Sequence, residues 1–342
     1  MAFSTDIGID LGTTNILIYI RGRGMVLNEP AVVAVEQKMQ KLLAVGSTAQ
    51  KMLGRTPENI VALRPLREGV IAEFDFAEMM LKRCLAMALK RKHLLRPRIV
   101  VCIPAATTPV EQKAVLEAIA RTGARETYLI EEPRAAALGA NLDVFEVGGN
   151  MVVDIGGGTS DIAVLSMGEI VEGASVRTGG DKFDQAIIRY IKKEHNLLIG
   201  ERTAESLKIA VGAAHPRSRN LETEVRGRDL LTGLPRPVKL NTAQLVQALE
   251  EPLELILQGI KQVLERVPPE LAGDIIGKGV ILSGGGALLE GLTLFLSQET
   301  GIPFYLAEEP LACVVRGTAS VLDNMARFRE LLPSSRSLGV AF

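Results

Sequence analysis

The chain has 342 residues and carries 39 Lys and Arg against 40 Asp and Glu, a formal net charge of −1 at pH 7. That balance offers no global field to attract nucleic acid, so no nucleic-acid partner is expected. The length exceeds what one core usually fills, so two or more lobes are expected. Cys84, Cys102 and Cys313 are odd in number without paired spacing, and His93, His195 and His215 are scattered, which argues against a disulfide frame or zinc site and suits a reducing cytoplasm. Asp6 precedes any sustained apolar run, and no window offers roughly 18 apolar residues, so neither a secretory leader nor a transmembrane helix is expected.

In chain order, Ile7 to Tyr19 reads as an apolar strand, Asp10, a small polar turn through Gly12, Thr13, Thr14 and Asn15, and a second apolar strand. Asn28 to Pro30 opens a β-rich excursion, with strands at Ala31 to Val35 and Lys41 to Val45 around the Gln37 to Gln40 turn. Phe74 to Lys92 reads as an amphipathic helix whose apolar face includes Phe76, Met79, Met80, Met87 and Leu89. Ile99 to Ile103 is a buried-strand run. Thr108 then supplies an N-cap, Pro109 a first helical position and Glu111 a first-turn acid for a helix ending near Gly123. Tyr128 to Ile130 is a short strand delivering Glu131 and Glu132. Strands alternating with helices imply an α/β sheet.

The second half repeats this design. Met151 to Leu165 is again strand, Asp154, a turn of Gly156, Gly157, Gly158 and Thr159, and strand. Setting Asp10 on Asp154 also sets Gly12 on Gly156. Glycine turns let backbone N–H groups close around an anion, and each aspartate is placed to hold a hydrated Mg²⁺ that bridges phosphates. Two such hairpins facing each other would clamp a polyphosphate, although either alone also fits an ordinary β-turn with a solvated Asp. Asp181 to Glu194 reads as a helix, and Thr203 is a candidate N-cap for another. Glu205 and Lys208 on that second helix fit a solvated i,i+3 ion pair. A hairpin is expected around Gly233, then a long helix from Thr242 to Arg266 kinked or divided at Pro252. Val280 to Leu289 runs from a strand through Gly284, Gly285, Gly286 and Ala287 into a helix-like stretch. Pro310 to Arg329 reads as a returning helix.

These motifs resemble the actin-like ATPase superfamily. LNEPAVVAV, LGRTPENI, LIEEP, VVDIGGGTSDIAVLSMG, IGERTAE and VILSGGGALLEGL together resemble the bacterial MreB/Mbl actins over essentially the whole chain. The resemblance implies an α/β, actin-like two-lobed fold with duplicated mixed-sheet core domains, each carrying a smaller inserted subdomain. On that scheme residues 1–32, 65–142 and 310–342 form the first core subdomain and 33–64 a small β-rich insertion. Residues 143–180 with 241–309 form the second core, and 181–240 its helical and hairpin insertion.

The resemblance also implies function. It makes Glu132 the catalytic glutamate of the Glu-Pro pair and Thr159 a second water-orienting group, although by sequence Glu131 could equally be the inward residue. Asp181, Glu205 and Lys208 become nucleotide ligands beside the turns at Gly12–Asn15, Gly156–Thr159 and Gly284–Ala287, with Asp10 and Asp154 serving the metal. The implied activity is a slow Mg²⁺-dependent ATPase, with ATP and ADP as ligands, coupled to self-assembly into filaments. Such filaments would lie at the inner face of the cytoplasmic membrane and organise cell-wall synthesis and rod shape with cell-wall elongation proteins. Composition alone favours reading Leu94 and Leu95, among Lys90, Arg91, Lys92, Arg96 and Arg98, as two core leucines at a basic helix end; the resemblance reverses that and makes them a membrane-inserting loop, with the segment around Phe3 as the other candidate anchor. A sugar kinase would need a second substrate pocket that no motif nominates, and a chaperone would usually continue into a peptide-binding domain. Thr14, where Ala is common in the family, and Arg134 are small departures.

Overall fold

The computed structural model describes residues 6–38, 41–89, 96–329, 332–335, 337 and 339. The chain divides into two compact units, residues 1–144 with 311–342, and residues 145–310.

In the first unit, β1 (Asp6–Leu11), β2 (Asn15–Ile20) and β3 (Gly24–Pro30) form an antiparallel meander. The β-rich excursion follows as β4 (Val33–Glu36), β5 (Lys41–Val45), the short α1 (Ser47–Gln50) and β6 (Ile60–Leu63), with β4 central in a three-stranded sheet. A two-stranded ribbon, β7 (Leu66–Arg67) and β8 (Val70–Ile71), leads to α2 (Phe74–Leu89). The chain then alternates through β9 (Arg98–Ile103), α3 (Pro109–Ala120), β10 (Glu126–Glu131) and α4 (Glu132–Gly139). The strand order β10-β9-β1-β2-β3 joins parallel and antiparallel pairing in one sheet.

The second unit reuses that order. Its meander is β11 (Asn150–Ile155), β12 (Ser160–Ser166) and β13 (Glu169–Val176). Then come α5 (Gly180–His195), β14 (Leu197–Leu198), α6 (Glu201–Val211), the hairpin β15 (Glu222–Asp229) and β16 (Pro235–Asn241), α7 (Thr242–Arg266) and α8 (Pro269–Lys278). The parallel strands β17 (Val280–Ser283) and β18 (Phe304–Leu306) flank α9 (Leu292–Thr300). The order β18-β17-β11-β12-β13 matches that of the first unit strand for strand. Finally α10 (Cys313–Asp323) and α11 (Met325–Phe328) complete the first unit.

Burial explains most of these elements. Ile99 to Ile103 is wholly buried, as a strand covered on both faces must be, and Thr108 caps α3 through a reciprocal box with Glu111. Several local expectations are corrected. The buried face of α2 is Ala77, Met80, Leu81, Cys84, Leu85 and Ala88, while Met87 is exposed, because the run of methionines offers more than one apolar stripe. Gly200, not Thr203, is the N-cap of α6; the Thr203 N–H already bonds Gly200 O at 3.0 Å inside the first turn. One helix, undivided, runs from Thr242 to Arg266 through Pro252, which is buried along with Leu249, Leu253 and Ile256. The returning helix is broken at Asn324.

An ionic ladder crosses one end of the first sheet. Parallel register sets Arg98 beside both Asp6 and Glu126. Arg98 lies 3.8 Å from Asp6 and 3.9 Å from Glu126, Arg21 joins Asp6 (3.7 Å) to Asp323 (2.8 Å), and Arg329 closes on Glu126 at 3.8 Å. No helix among the described residues is long and apolar enough to cross a membrane.

Candidate functional site

The first unit contributes the β1–β2 turn. Pairing of Asp10 with Leu17 and of Leu11 with Ile16 leaves Gly12, Thr13 and Thr14 as the connection. A Cβ on Gly12 would lie 2.8 Å from Asn15 O, so the turn is closed tightly enough to require glycine. Thr13 is buried and its Oγ1 accepts from Gly69 N at 2.9 Å, while Asn15 Nδ2 donates to Asn28 Oδ1 at 3.0 Å. The Thr14 Oγ1 is buried without a hydrogen-bond partner among the described residues.

In the same unit β10 delivers Glu131 and Glu132 to the start of α4. Glu131 is held by Arg134 Nε at 3.4 Å, an i,i+3 pair in which Arg134 is itself buried. Glu132 is 7% exposed. A glutamate this buried at a helix start sits where the first-turn N–H groups favour its anion.

The second unit contributes the turn between β11 and β12. Gly156 N bonds Thr159 O at 2.8 Å, and α5 holds the turn from outside, with Gly180 N on Gly156 O (3.0 Å) and Asp181 N on Gly157 O (2.8 Å). The carbonyls are thus taken by a helix start, and among the described residues no backbone carbonyl accepts from the N–H groups of Gly157 or Gly158. The tightest packing falls on Gly179, where a Cβ would lie 2.5 Å from Gly156 O, whereas at Gly156 it would make an ordinary 3.5 Å contact.

Asp154, one pair before the end of β11, is 4% exposed. Its Oδ1 accepts from Ser283 Oγ at 2.5 Å. Burial pushes its carboxyl up to about 7, opposed by the Ser283 hydrogen bond and reinforced by the charge of Asp161, which is paired across the ladder and fully buried. The third glycine stretch packs against the same strand end: at Gly284, with φ +81°, a Cβ would lie 2.4 Å from Ile155 O. It opens a single 3-10 turn, Gly286–Leu288, which is the expected helix-like stretch, and α9 starts later behind Gly291.

Lys208 reaches from α6 to the start of α5, donating to Gly180 O (3.2 Å) and pairing with Asp184 (2.9 Å). Burial pushes the Asp184 carboxyl up to about 6 against the pull of Lys208, with Glu205 and Asp181 adding to the rise. The second unit therefore gathers Asp154, Gly156, Gly157, Asp181, Glu205, Lys208, Gly284 and Gly286 around one strand end and one helix start. Leu94, Leu95 and Phe3 lie outside the described residues. Nothing local in the sequence marks Asp184, and the one signal for Ser283 is its place just before Gly284.

These residues fit a magnesium nucleotide. The buried carboxylate of Asp154 is costly without a cation, the partnerless Thr14 hydroxyl lies in a phosphate-type turn, and the α5 start holds the second turn by its carbonyls, leaving the N–H groups of Gly157 and Gly158 to a ligand. Among the described residues no three His, Cys, Asp or Glu side chains cluster as an all-protein metal cage.

A family model described as MreB/Mbl protein matches residues 4–330. The chain is 53% identical over 323 residues to the cell shape-determining protein Mbl of Bacillus subtilis, covering 94% of this chain and 97% of the relative. It is 49% identical over 326 residues to the cell shape-determining protein MreB of Escherichia coli K12, covering 94% of each. Among solved structures, MreB5 of Spiroplasma citri bound to AMPPNP superposes with a TM-score of 0.92 at 33% identity, covering 97% of this chain and 99% of that one. The MamK double helical filament, with a TM-score of 0.80 at 18% identity and covering 94% and 99%, shares the fold. The duplicated strand order, the paired glycine turns and these matches lead to one assignment: the chain belongs to the MreB/Mbl family and has the actin-like fold.

Proposed function

We propose that the chain is a slow Mg²⁺-dependent ATPase whose nucleotide cycle governs its assembly into filaments. Asp10 and Asp154 serve the metal, Gly12–Asn15 and Gly156–Thr159 the phosphates, and Asp181, Glu205, Lys208 and Gly284–Ala287 the nucleoside. The bound metal would neutralise charge on the phosphates. The chain's own part is to fix the carboxylates, present N–H donors from the turns and orient water with Glu132 and Thr159. The observation that carries this reading is the second phosphate turn, held by α5 through the Gly156 and Gly157 carbonyls, beside the buried Asp154. Support comes also from the AMPPNP-bound and ADP-bound forms of Spiroplasma citri MreB5. The subdomain scheme goes with it, residues 33–64 and 181–240 being insertions in the two cores.

The filament works at the inner face of the cytoplasmic membrane, where it organises cell-wall synthesis and rod shape with cell-wall elongation proteins. The names of the Bacillus and Escherichia relatives support that role. Leu94 and Leu95 anchor it weakly per subunit, since one buried leucine gives roughly 1.5–3 kcal/mol and each basic residue near anionic lipid about 1 kcal/mol. Assembly multiplies such contacts. Electron microscopy of the purified protein with Mg-ATP, with and without anionic liposomes, tests the proposal. Filaments that coat liposomes are expected, with coating lost in Leu94→Ser/Leu95→Ser; persistent monomers across nucleotide and lipid conditions would refute it.

A further inference from the structure

We infer that Ser283 is a positioning residue for Asp154, coupling the third glycine turn to the metal side of the phosphate turn. The inference rests on reading Asp154 as a carboxylate that serves Mg²⁺. Parallel pairing of β11 with β17 sets Ser283 directly beside Asp154. Ser283 is fully buried, Asp154 nearly so, and the 2.5 Å bond from Oγ to Oδ1 is in the range of a hydroxyl donating to an ionised carboxylate. With one oxygen held, the plane of the carboxylate is set before any ligand arrives.

Asp161 lies opposite on β12, paired with Asp154 across the ladder, so Asp154 is fixed between two neighbouring strands. The residue after Ser283, Gly284, is pressed onto Ile155 O, and a Cβ on Gly286 would lie 2.3 Å from Ile155 Cγ2. The third turn and the end of β11 therefore cannot move separately. A shift of that turn on nucleoside binding passes through Ser283 to Asp154. Groups behind a metal ligand typically change metal affinity about 10–100-fold when removed.

The test is equilibrium binding of a fluorescent, non-hydrolysable ATP analogue to the full chain, in Mg²⁺ and in EDTA. The readout is the ratio of the two affinities. Ser283→Ala should reduce that ratio about tenfold and leave affinity in EDTA unchanged, and Ser283→Thr, which keeps the donor, should restore it. If Ser283→Ala does not fold, Ser283→Cys, with a weak donor of similar size, should show the same loss. A parental ratio in Ser283→Ala alongside a lost ratio in Asp154→Asn overturns the role of Ser283 alone. Equal losses in Mg²⁺ and EDTA overturn it as well, since they mark a general disturbance. A parental ratio in Asp154→Asn overturns the reading of Asp154 itself.

Discussion

Gly317 of α10 runs so close to Ala135 of α4 that a Cβ on Gly317 would lie 1.9 Å from the Ala135 carbonyl oxygen. The reverse contact is as tight, since a Cβ on Gly139 would lie 1.9 Å from Cys313 O. Two helices of the first unit thus cross backbone on backbone. Gly317→Ala must push them apart and should destabilise by about 1–3 kcal/mol despite the better helix propensity of alanine. Urea unfolding measures this, and a variant as stable as the parent would contradict the contact.

Lys208 and Asp184 give a pH-dependent prediction. The folded Asp184 carboxyl, at about 6, lies above its ordinary 3.8, so this group's contribution to stability falls as pH rises from about 4 to about 6 and is level above. Lys208→Met removes the ammonium that holds the carboxyl down, and the fall then continues to higher pH. The variant should be close to the parent below about pH 4, where Asp184 is protonated in folded and unfolded chains alike. The gap should open near pH 6 and widen as pH rises, toward the ~3 kcal/mol usual for breaking a buried pair. Thermal melts from pH 4 to 8 check the sign, and a constant gap would contradict it.

Much of this was legible in the sequence because the signals are local. Asp10 with Gly12, and Asp154 with Gly156 to Thr159, sit between β-branched runs, and a strand, turn and strand within some fifteen residues need no knowledge of the rest of the chain. What escaped depends on distant pairing. Ser283 meets Asp154 across 129 positions through parallel register, and Lys208 meets Asp184 only once α6 has packed on α5. On α2, Met80 is buried and Phe76 and Leu89 pack on the core as expected. Met87 alone of the expected face is exposed, because methionine suits either side of a helix and β3 and α3, against which α2 packs, decide which side is buried.

Glu132→Ala should leave nucleotide affinity near parental and lower ATP turnover by a factor on the order of 10². Asp10→Ala and Asp154→Ala should instead weaken Mg²⁺-dependent binding itself. Phosphate release and nucleotide titration on the same preparations separate the outcomes, and parental turnover in Glu132→Ala would remove Glu132 from its proposed role.

Gly179→Ala places a methyl 2.5 Å from Gly156 O and 2.8 Å from Gly157 O, so the phosphate turn must move. Binding of an ATP analogue should weaken about tenfold or more, in line with the loss of well-placed charge-assisted donors. Gly200→Ala, at the cap of α6 with nothing within 4 Å, is the matched control and should bind normally. Equal affinities in the two variants would show that the turn is not held as described.

The ionic ladder from Asp323 through Arg21, Asp6 and Arg98 to Glu126 and Arg329 has a mechanical consequence. Asp6 directly follows residues 1–5, and Arg98 lies just beyond residues 90–95, so both candidate tethers enter the sheet at one pair of neighbouring strands. Traction on either is shared between β1 and β9 as shear along their hydrogen bonds, and it reaches the end of α10 through Arg21 and Asp323. Load applied through either candidate segment would therefore be carried by the same pair of strands. Raising salt would soften the exposed Arg21 to Asp323 link first and leave the buried acids of Asp6 and Glu126 as the last to yield.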